Sequence, residues 1–292
     1  MTTYRLVRHD ERSDYRALTT GGSALIEGDA AEVLAALPEG SVQTVITSPP
    51  YWSLRDYRIP GQIGLEESID VFVKNLTQAF DAVHRVLRED GTLWLNIGDS
   101  YTSGGRTWRA PDKKNRARAM EVRPLTPDGL KPKDLIGVPW RLAFALQSAG
   151  WFLRADIIWN KPNCQPESVR DRPTRAHEYL FLFSKAERYK YDVLAVEGPN
   201  GRRLRTVWDV KTQAYPEASG HFATFPPDLI RPCVRTSTER GDIVLDPFVG
   251  SGTTAVVAAT ERRRFIGIEL NPEYLMLARR RLNRADVVKV DG

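Results

Sequence analysis

A glycine-rich turn near the C-terminus is the first feature of this sequence that could bind a ligand. Residues 246–254 read DPFVGSGTT and lie between a short apolar segment and a helical pattern. The glycines would let a ligand approach the backbone, and the two threonines could cap the following helix. Glu269 ends the next apolar segment, about 20 residues after the first glycine, where a dinucleotide site places the acid that meets ribose hydroxyls.

The glycine pattern is incomplete, because Ala255 stands where a dinucleotide site would have its third glycine. The spacing therefore favours a ligand with an adenosine ribose over one with a pyrophosphate. On their own, the glycines also fit a tight turn between a strand and a helix.

A second candidate is the segment TSPPYW, residues 47–52, which follows a β-branched segment. Two consecutive prolines cannot continue a strand, and they favour a rigid extended exit from it. The segment holds a hydroxyl and a carbonyl, both hydrogen-bond acceptors, beside aromatic rings. Taken alone, it could equally be a surface turn.

Strand and helix patterns alternate along the chain and would position both segments. Strands are predicted over 24–27, 42–47, 92–98, 151–159, 178–185, 242–246 and 265–269. Helices are predicted over 30–38, 67–88, 135–150, 226–238 (interrupted near Pro232), 253–262 and 273–284. This alternation predicts an α/β fold with a doubly wound, mostly parallel sheet and helices on both faces.

Composition excludes several classes of protein. The chain of 292 residues is 41% hydrophobic and 27% charged, which is enough apolar material for a packed core. No apolar run reaches the ~18 residues that span a bilayer, and the N-terminus does not resemble a signal peptide. Two cysteines cannot build a disulfide framework or a four-ligand zinc site, and no two histidines have metal-ligand spacing. We therefore expect a soluble cytoplasmic protein with no metal site and no membrane contact.

Basic residues are clustered rather than spread evenly. The net charge is +5. Clusters lie at 104–118, 201–205 and 262–264, and the first two fall in irregular segments rich in glycine and proline. Such clusters attract phosphates, although a single one can be a solvated surface. Two of them in long connecting segments favour a nucleic-acid partner.

Together, the two segments resemble motifs of S-adenosylmethionine-dependent DNA amino-methyltransferases. DPFVGSGTT resembles the motif that cradles the methionine end of the cofactor, and SPPY resembles the catalytic (Asp, Asn or Ser)-Pro-Pro-(Tyr or Phe) tetrapeptide. The tetrapeptide comes first in this chain, which is the circularly permuted order of the β group of these enzymes. The resemblance covers roughly residues 24–100, 135–185 and 221–284, and it implies a Rossmann-like methyltransferase fold.

The resemblance implies one catalytic domain over 1–292. Its catalytic half would be 24–100 and 135–185, its cofactor half 221–284, and its target-recognition insertions 101–133 and 186–220. Ser48 and the Pro49 carbonyl would accept hydrogen bonds from the target amine, which would help to aim the nitrogen lone pair at the methyl group. Tyr51 would stack on a base turned out of the duplex. The full catalytic set is Ser48, Pro49, Pro50 and Tyr51.

Further residues would bind S-adenosylmethionine or DNA. Glu269 would hold the ribose, Asp246 would meet the amino group and Asp29 would lie near the adenine. The cofactor set is Asp29, Phe222, Pro226, Asp246, Pro247, Phe248, Gly250, Ser251, Gly252, Thr253, Thr254 and Glu269. The DNA-binding set is Trp52, as a second aromatic wall, with Arg106, Lys113, Lys114, Arg116, Arg118, Arg202 and Arg203.

Serine in the first position of the tetrapeptide is associated with N4 of cytosine, so we place cytosine ahead of N6 of adenine. A nicotinamide dehydrogenase, a non-catalytic nucleic-acid-binding module and an RNA or protein methyltransferase stay open as alternatives. The permuted motif order and the basic insertions favour double-stranded DNA as the partner. A restriction-modification or epigenetic role is expected, and a cognate restriction endonuclease and a homodimer also stay open. The recognition sequence cannot be read from the chain.

Overall fold

The computed structural model of the chain describes residues 3–10, 14–102, 124–198, 201–213, 224–285 and 287–289. Within these ranges, ten strands form one sheet in the order β10-β1-β2-β9-β8-β3-β4-β6-β5-β7. The strands are β1 (Thr3–Arg8), β2 (Ser23–Glu27), β3 (Val42–Thr47), β4 (Leu87–Ile97), β5 (Phe152–Asn160), β6 (His177–Ser184), β7 (Val207–Asp209), β8 (Ile243–Asp246), β9 (Arg264–Glu269) and β10 (Val288–Lys289). The helices are α1 (Tyr15–Gly21), α2 (Ala30–Ala36), α3 (Ile69–Val86), α4 (Val138–Ser148), α5 (Pro227–Ser237), α6 (Thr253–Thr260) and α7 (Pro272–Arg284).

The sheet is mostly parallel, as the sequence predicts. Strand β6 runs antiparallel to both of its neighbours, β4 and β5, and every other pair of neighbouring strands is parallel. Parallel strands buried on both faces are expected to be continuously apolar or β-branched. The segment VQTVIT of β3 meets this expectation, because all six of its residues are buried.

Helices cover both faces of the sheet, and alternate residues of the central strands point to opposite sides. Val45 packs in an apolar core with residues of α3 and α4, whereas its neighbour Ile46 packs in a second core with residues of α5, α6 and α7. This separation follows from the two-residue period of a strand. The predicted doubly wound sheet with helices on both faces is therefore confirmed.

The amphipathic pattern of α3 explains why this helix forms where it does. Its buried residues recur at helical spacing, and Ser68 caps the first turn by accepting a hydrogen bond from the Val71 backbone N–H. The apolar face packs in the core that contains Val45 of β3 and Leu93 of β4. The buried residues are Ile69, Phe72, Leu76, Ala79, Phe80, Val83 and Val86.

Strands β8 and β3 are neighbours in the middle of the sheet and mark its topological switch point. The chain leaves β8 through α6 toward β9 on one side, and leaves β3 through α3 toward β4 on the other. Ligands of doubly wound folds bind in the crevice at the carboxyl ends of such strands. The glycine turn follows β8 and the tetrapeptide follows β3, so both candidate segments lie at this crevice.

Several elements differ from the sequence prediction. Strands β1, β7 and β10 and helix α1 are present where no element was expected. The periodic patterns of such short segments are too brief to be recognised, and their partner strands stabilise them. Helix α5 continues through Pro232, where an interruption was predicted, because burial of Leu229, Ile230, Cys233 and Val234 outweighs one lost backbone hydrogen bond.

Two further observations concern partners. Among the described residues, no helix is both long and apolar enough to cross a membrane. In the same ranges, no group of three or more His, Cys, Asp or Glu side chains is placed to hold a metal ion.

Candidate active site

A cavity of about 340 Å³ lies at the carboxyl ends of β3 and β8. Both candidate segments line it, although they are far apart in sequence. Thr47, at the end of β3, donates a hydrogen bond of 2.6 Å to Oδ1 of Asp246, at the end of β8. Residues of the predicted sets that line the cavity are Asp29, Ser48, Pro49, Pro50, Tyr51, Asp246, Pro247, Phe248, Gly250, Ser251, Thr253 and Glu269.

The tetrapeptide presents its serine and its tyrosine to the cavity through a fixed geometry. The Tyr51 hydroxyl donates to Oε2 of Glu178 at 2.8 Å and lies 3.3 Å from Oγ of Ser48, which donates to it. Burial, followed by the charge of Glu178, raises the pKa of Tyr51 well above its ordinary value, so the phenol is neutral. A Cβ added at Gly98 would lie 2.7 Å from the Tyr51 ring, so a glycine is needed there.

Asp246 is a buried carboxylate, and each of its two oxygens accepts at least one hydrogen bond from the protein. Oδ1 accepts hydrogen bonds from Thr47 Oγ1 and from the Phe248 backbone N–H, and Oδ2 accepts one of 2.6 Å from Thr254 Oγ1. Burial raises the pKa of Asp246 to about 6, although these hydrogen bonds oppose the shift. A buried carboxylate of this kind is costly unless a cation is bound beside it.

Glu269 lines the cavity at the end of β9, the strand next to β8. Its Oε2 accepts a hydrogen bond of 2.8 Å from the Gly250 backbone N–H, and its Oε1 accepts one of 2.9 Å from the Asn271 backbone N–H. Burial raises the pKa of Glu269 to about 7, and the nearby Asp246 adds to the increase. These bonds join the acid to the glycine turn and hold both oxygens in place.

The cavity fits S-adenosylmethionine chemically. Three carboxylates line it, and Arg55 is the one basic side chain among the described lining residues. Asp246 and Glu269 could accept from an ammonium group or from ribose hydroxyls, and Phe225 and Phe248 supply apolar surface. Asp29 also lines the cavity, while its Oδ1 caps α2 by accepting from the Ala31 and Glu32 backbone N–H groups.

A family model described as DNA methylase, of the N6 and N4 type, matches residues 42–280 of the chain. This match covers both the tetrapeptide and the glycine turn. The chain belongs to the DNA methylase family.

Curated relatives agree with this assignment. Type II methyltransferase M.XycI of Xanthomonas campestris pv. cyanopsidis is 60% identical over 275 residues, which cover 92% of this chain and 91% of the relative. Type II methyltransferase M.Cfr9I of Citrobacter freundii is 61% identical over 92% of this chain and 90% of the relative. M.SmaI of Serratia marcescens is 58% identical over 89% of this chain and 90% of the relative.

Solved structures share the fold. A PvuII DNA methyltransferase described as cytosine-N4-specific has a TM-score of 0.66 and 24% identity, over 88% of this chain and 85% of that one. A putative DNA modification methylase of Thermus thermophilus, in complex with S-adenosyl-L-methionine, has a TM-score of 0.65 and 28% identity, over 92% of this chain and 98% of that one. The predicted family, methyltransferase fold, DNA methyltransferase activity and S-adenosylmethionine cofactor are thus confirmed for this DNA methylase.

Three predicted residues of the methylase act differently from expectation. The expectation that Trp52 forms an aromatic wall for the base is wrong, because its side chain is 2% exposed in the core and its indole N–H donates to the Glu66 carbonyl. Gly252 does not line the cavity: a Cβ there would lie 2.7 Å from Cβ of Ala278, so this glycine allows α7 to pack closely, and its cofactor contact stays a prediction. Pro226 is buried before α5 and does not line the cavity.

The expectation that the side chains of Thr253 and Thr254 cap α6 is wrong. Helix α6 begins at Thr253, and Gly252, in a left-handed conformation, is its N-cap. Thr254 Oγ1 donates to Asp246, and Thr253 Oγ1 accepts from Nη1 of Arg281. Thr254 therefore orients the buried carboxylate from behind and does not line the cavity.

The DNA-binding predictions are only partly covered by the structure. Arg202 and Arg203 are exposed in the segment before β7 and do not line the cavity. Their DNA contacts stay a prediction. Outside the described residues lie Phe222, Arg106, Lys113, Lys114, Arg116 and Arg118.

Sequence reasoning missed several residues that line the cavity. Tyr57, in the loop after the tetrapeptide, packs edge-on against Tyr274 of α7 with ring centroids 5.7 Å apart, and both rings line the cavity. Ile63 from the same loop and Thr224 and Phe225 from the segment before α5 also line it. The NPEY segment after Glu269 could have drawn attention to Tyr274, but no pattern pairs it with Tyr57.

Proposed function

We propose that the methylase acts on double-stranded DNA at N4 of cytosine, ahead of N6 of adenine, and uses Ser48 as the acceptor for the target amine. The observation that carries this proposal is that Ser48 and Tyr51 line the same cavity as Asp246 and Glu269. A neutral serine hydroxyl in place of a carboxylate is the feature that favours cytosine.

Ser48 and the Pro49 carbonyl act on the amine. The lone pair of an exocyclic amine is delocalised into the ring, so it is a poor nucleophile. Two rigid acceptors that take both amino hydrogens favour tetrahedral geometry at the nitrogen, which returns the lone pair to it. The prolines hold these acceptors in place, because neither can leave its fixed backbone angle.

Tyr51 holds the base in position. Its ring lines the cavity beside Ser48, and its hydroxyl is tied to Glu178 on β6, so the ring cannot turn freely. A base turned out of the duplex would stack on this ring with its amine toward Ser48. With Trp52 in the core, Tyr51 is the single aromatic residue of the TSPPYW segment that lines the cavity.

The cofactor half supplies carboxylates for S-adenosylmethionine, which when bound offers an electrophilic methyl group. Asp246 lies beside the tetrapeptide through its hydrogen bond from Thr47, and it is placed to accept from the ammonium group. Glu269 is placed to accept from the ribose hydroxyls. The pKa values of both carboxyls are raised because they are buried without a cation, and a bound ammonium group or hydroxyl donors would stabilise their ionised forms.

The basic segments 101–133 and 186–220 are proposed to contact DNA, with Arg and Lys neutralising phosphates. The relatives named Type II methyltransferases support a restriction-modification role, in which a cognate endonuclease would act on the same site. A DNA substrate also supports the cytoplasmic location expected from the sequence. A homodimer is also proposed as the assembled form of the enzyme.

The test uses tritiated S-adenosylmethionine, the purified methylase and a mixture of duplex DNA fragments that contain many different sequences. After incubation, the DNA is digested to nucleosides and separated by chromatography. Radioactivity in N4-methylcytosine supports the proposal, whereas radioactivity in N6-methyladenine assigns adenine as the target. Label in 5-methylcytosine, or in no nucleoside while the protein binds the cofactor, would overturn it.

A further inference from the structure

A buried ion pair lies behind the catalytic tetrapeptide. Lys161, which follows β5, pairs with Oε1 of Glu178 on β6, and the two side chains are only 17% and 18% exposed. The Lys161 ammonium also lies 4.2 Å from the centroid of the Trp159 ring. Glu178 is thus held from one side by a cation and bonded on the other to Tyr51, and its carboxylate has little freedom to rotate.

The ion pair decides the direction of the hydrogen bonds that lead to Ser48. Oε1 of Glu178 accepts from the Lys161 ammonium, and Oε2 accepts the single hydroxyl proton of Tyr51 at 2.8 Å. Asn96 cannot reverse this direction, because its amide nitrogen donates to the Tyr179 carbonyl and its Oδ1, 3.4 Å from the Tyr51 hydroxyl, can only accept from it. The Tyr51 oxygen therefore accepts, and Ser48 Oγ lies 3.3 Å away as a donor to it.

Because the proton of Ser48 is directed at Tyr51, only the lone pairs of its oxygen remain for a substrate. We propose that Glu178, held by Lys161, is a positioning residue that makes Ser48 a pure hydrogen-bond acceptor for the target amine. A neutral serine then acts toward the amine as a carboxylate oxygen would. This inference rests on the proposed function of Ser48 and adds the residues that control its polarity.

The substitution Glu178→Gln changes the polarity with little change in shape. A glutamine amide can donate to the Tyr51 oxygen, and the Tyr51 proton would then turn to Ser48 Oγ, which at 3.3 Å is nearer than Asn96 Oδ1 at 3.4 Å. The Ser48 proton would be released toward the amine, so that a donor faces a donor. Removal of the Tyr51 hydroxyl by Tyr51→Phe cuts the connection between Glu178 and Ser48 while it keeps the aromatic ring.

The experiment measures single-turnover methyl transfer to duplex DNA with saturating cofactor, for wild type, Glu178→Gln, Tyr51→Phe and the double variant. Calorimetry gives cofactor affinity for each. We expect Glu178→Gln to slow transfer roughly tenfold or more in the wild-type background, which is less than the ~10²–10³ expected for loss of the acceptor itself. In the Tyr51→Phe background we expect the same substitution to change the rate by less than about twofold, and cofactor affinity to stay constant throughout.

Equal losses in both backgrounds, or no loss in the first, would overturn the inference, because Glu178 would then act independently of Tyr51. The same cycle with Lys161→Gln in place of Glu178→Gln keeps the test decisive if one variant does not fold. Glu261→Gln is the matched control, since Glu261 is also a mostly buried carboxylate in an ion pair but does not line the cavity. It should transfer methyl groups at the wild-type rate. Failure of the proposed function would show differently, as absence of methyl transfer by the wild type.

Discussion

Because the pKa of Glu269 is raised to about 7, we expect the affinity for the cofactor to depend on pH near neutrality. The carboxyl has a pKa of about 7 because it is buried without a cation, and its two oxygens already accept backbone hydrogen bonds from Gly250 and Asn271. Ribose hydroxyls need an acceptor, so they bind the ionised form. Cofactor binding should therefore release a proton below about pH 7 and weaken as the pH falls.

The size of the effect follows from the titration. Between about pH 8 and about pH 6, the ionised fraction of a group with a pKa of about 7 falls from about 90% to about 10%. Affinity should thus fall about tenfold over this range, or about 1.4 kcal/mol. Glu269→Gln should lose this tenfold dependence and keep only the part due to Asp246, which for a pKa of about 6 is about twofold over the same range. At about pH 8 the variant should bind more weakly by about 1.5–3 kcal/mol for each charge-assisted hydrogen bond removed.

Isothermal calorimetry with S-adenosylmethionine across this pH range measures both effects. The titration of the ligand itself is common to both proteins and cancels in their difference. Glu273→Gln is the matched control: it removes an exposed carboxylate from the first turn of α7 that does not line the cavity, and it should behave as wild type. The same pH dependence in wild type and Glu269→Gln would refute the role of this acid.

The same carboxyl groups affect the stability of the unliganded protein. Asp246 and Glu269 have pKa values above those of an unfolded chain, so the folded state holds more protons between about pH 4 and about pH 7. Their contribution to the free energy of unfolding is therefore greatest at low pH and is lost as the pH rises through about 7. Added cofactor should stabilise the protein most above that pH, where both acids are ionised.

Three further predictions concern other parts of the molecule. Gly252→Ala should lower the free energy of unfolding by roughly 1–3 kcal/mol through the clash with Ala278, added to the strain of a positive φ. In thermal denaturation the control Gly241→Ala, which has a positive φ but open space around it, should lose only the strain component; equal losses would contradict the packing role. Tyr51→Ala should slow methyl transfer through loss of about 1–3 kcal/mol of base stacking, measured under single turnover, and an unchanged rate would remove the ring from base binding. Neutralising Lys113, Lys114, Arg116 and Arg118 together should weaken DNA binding for all sequences and flatten the dependence on log salt by up to ~0.9 for each phosphate that is no longer neutralised; parallel salt slopes would move recognition to residues 186–220.

Local sequence patterns predicted the elements that carry the site. The β-branched segment VQTVIT and the long amphipathic pattern of α3 depend on neighbours in sequence, and the structure has both within one or two residues of the predicted bounds. The rigid proline pair and the glycine turn each follow a strand of a parallel sheet. Strands of that kind bring their carboxyl ends to the same edge, so the cavity they share followed from the order of elements.

The parts that could not be predicted depend on contacts distant in sequence. Trp52 and Tyr51 are neighbouring aromatic residues that the sequence cannot distinguish. Only the packing of this segment on the core shows that the Trp52 ring is buried and the Tyr51 ring lines the cavity. In sequence, Gly252 resembles a ligand-binding glycine, and only the structure shows that Ala278 leaves no space for a Cβ there. Glu178 lies on β6 and Lys161 follows β5, and the sequence predicted both strands. The contact of Glu178 with Tyr51 and its pairing with Lys161 depend on the antiparallel pairing of β6 with β4 and β5.

The central claim is that Ser48 acts on the target amine while Asp246 and Glu269, which line the same cavity, bind the cofactor. Ser48→Ala tests it most directly, with single-turnover methyl transfer and cofactor affinity measured on the same preparation. We predict that the rate falls by roughly 10²–10³ while the affinity for S-adenosylmethionine stays within about twofold of wild type. A wild-type rate in Ser48→Ala, or a loss of rate that is explained entirely by weaker cofactor binding, would contradict the account.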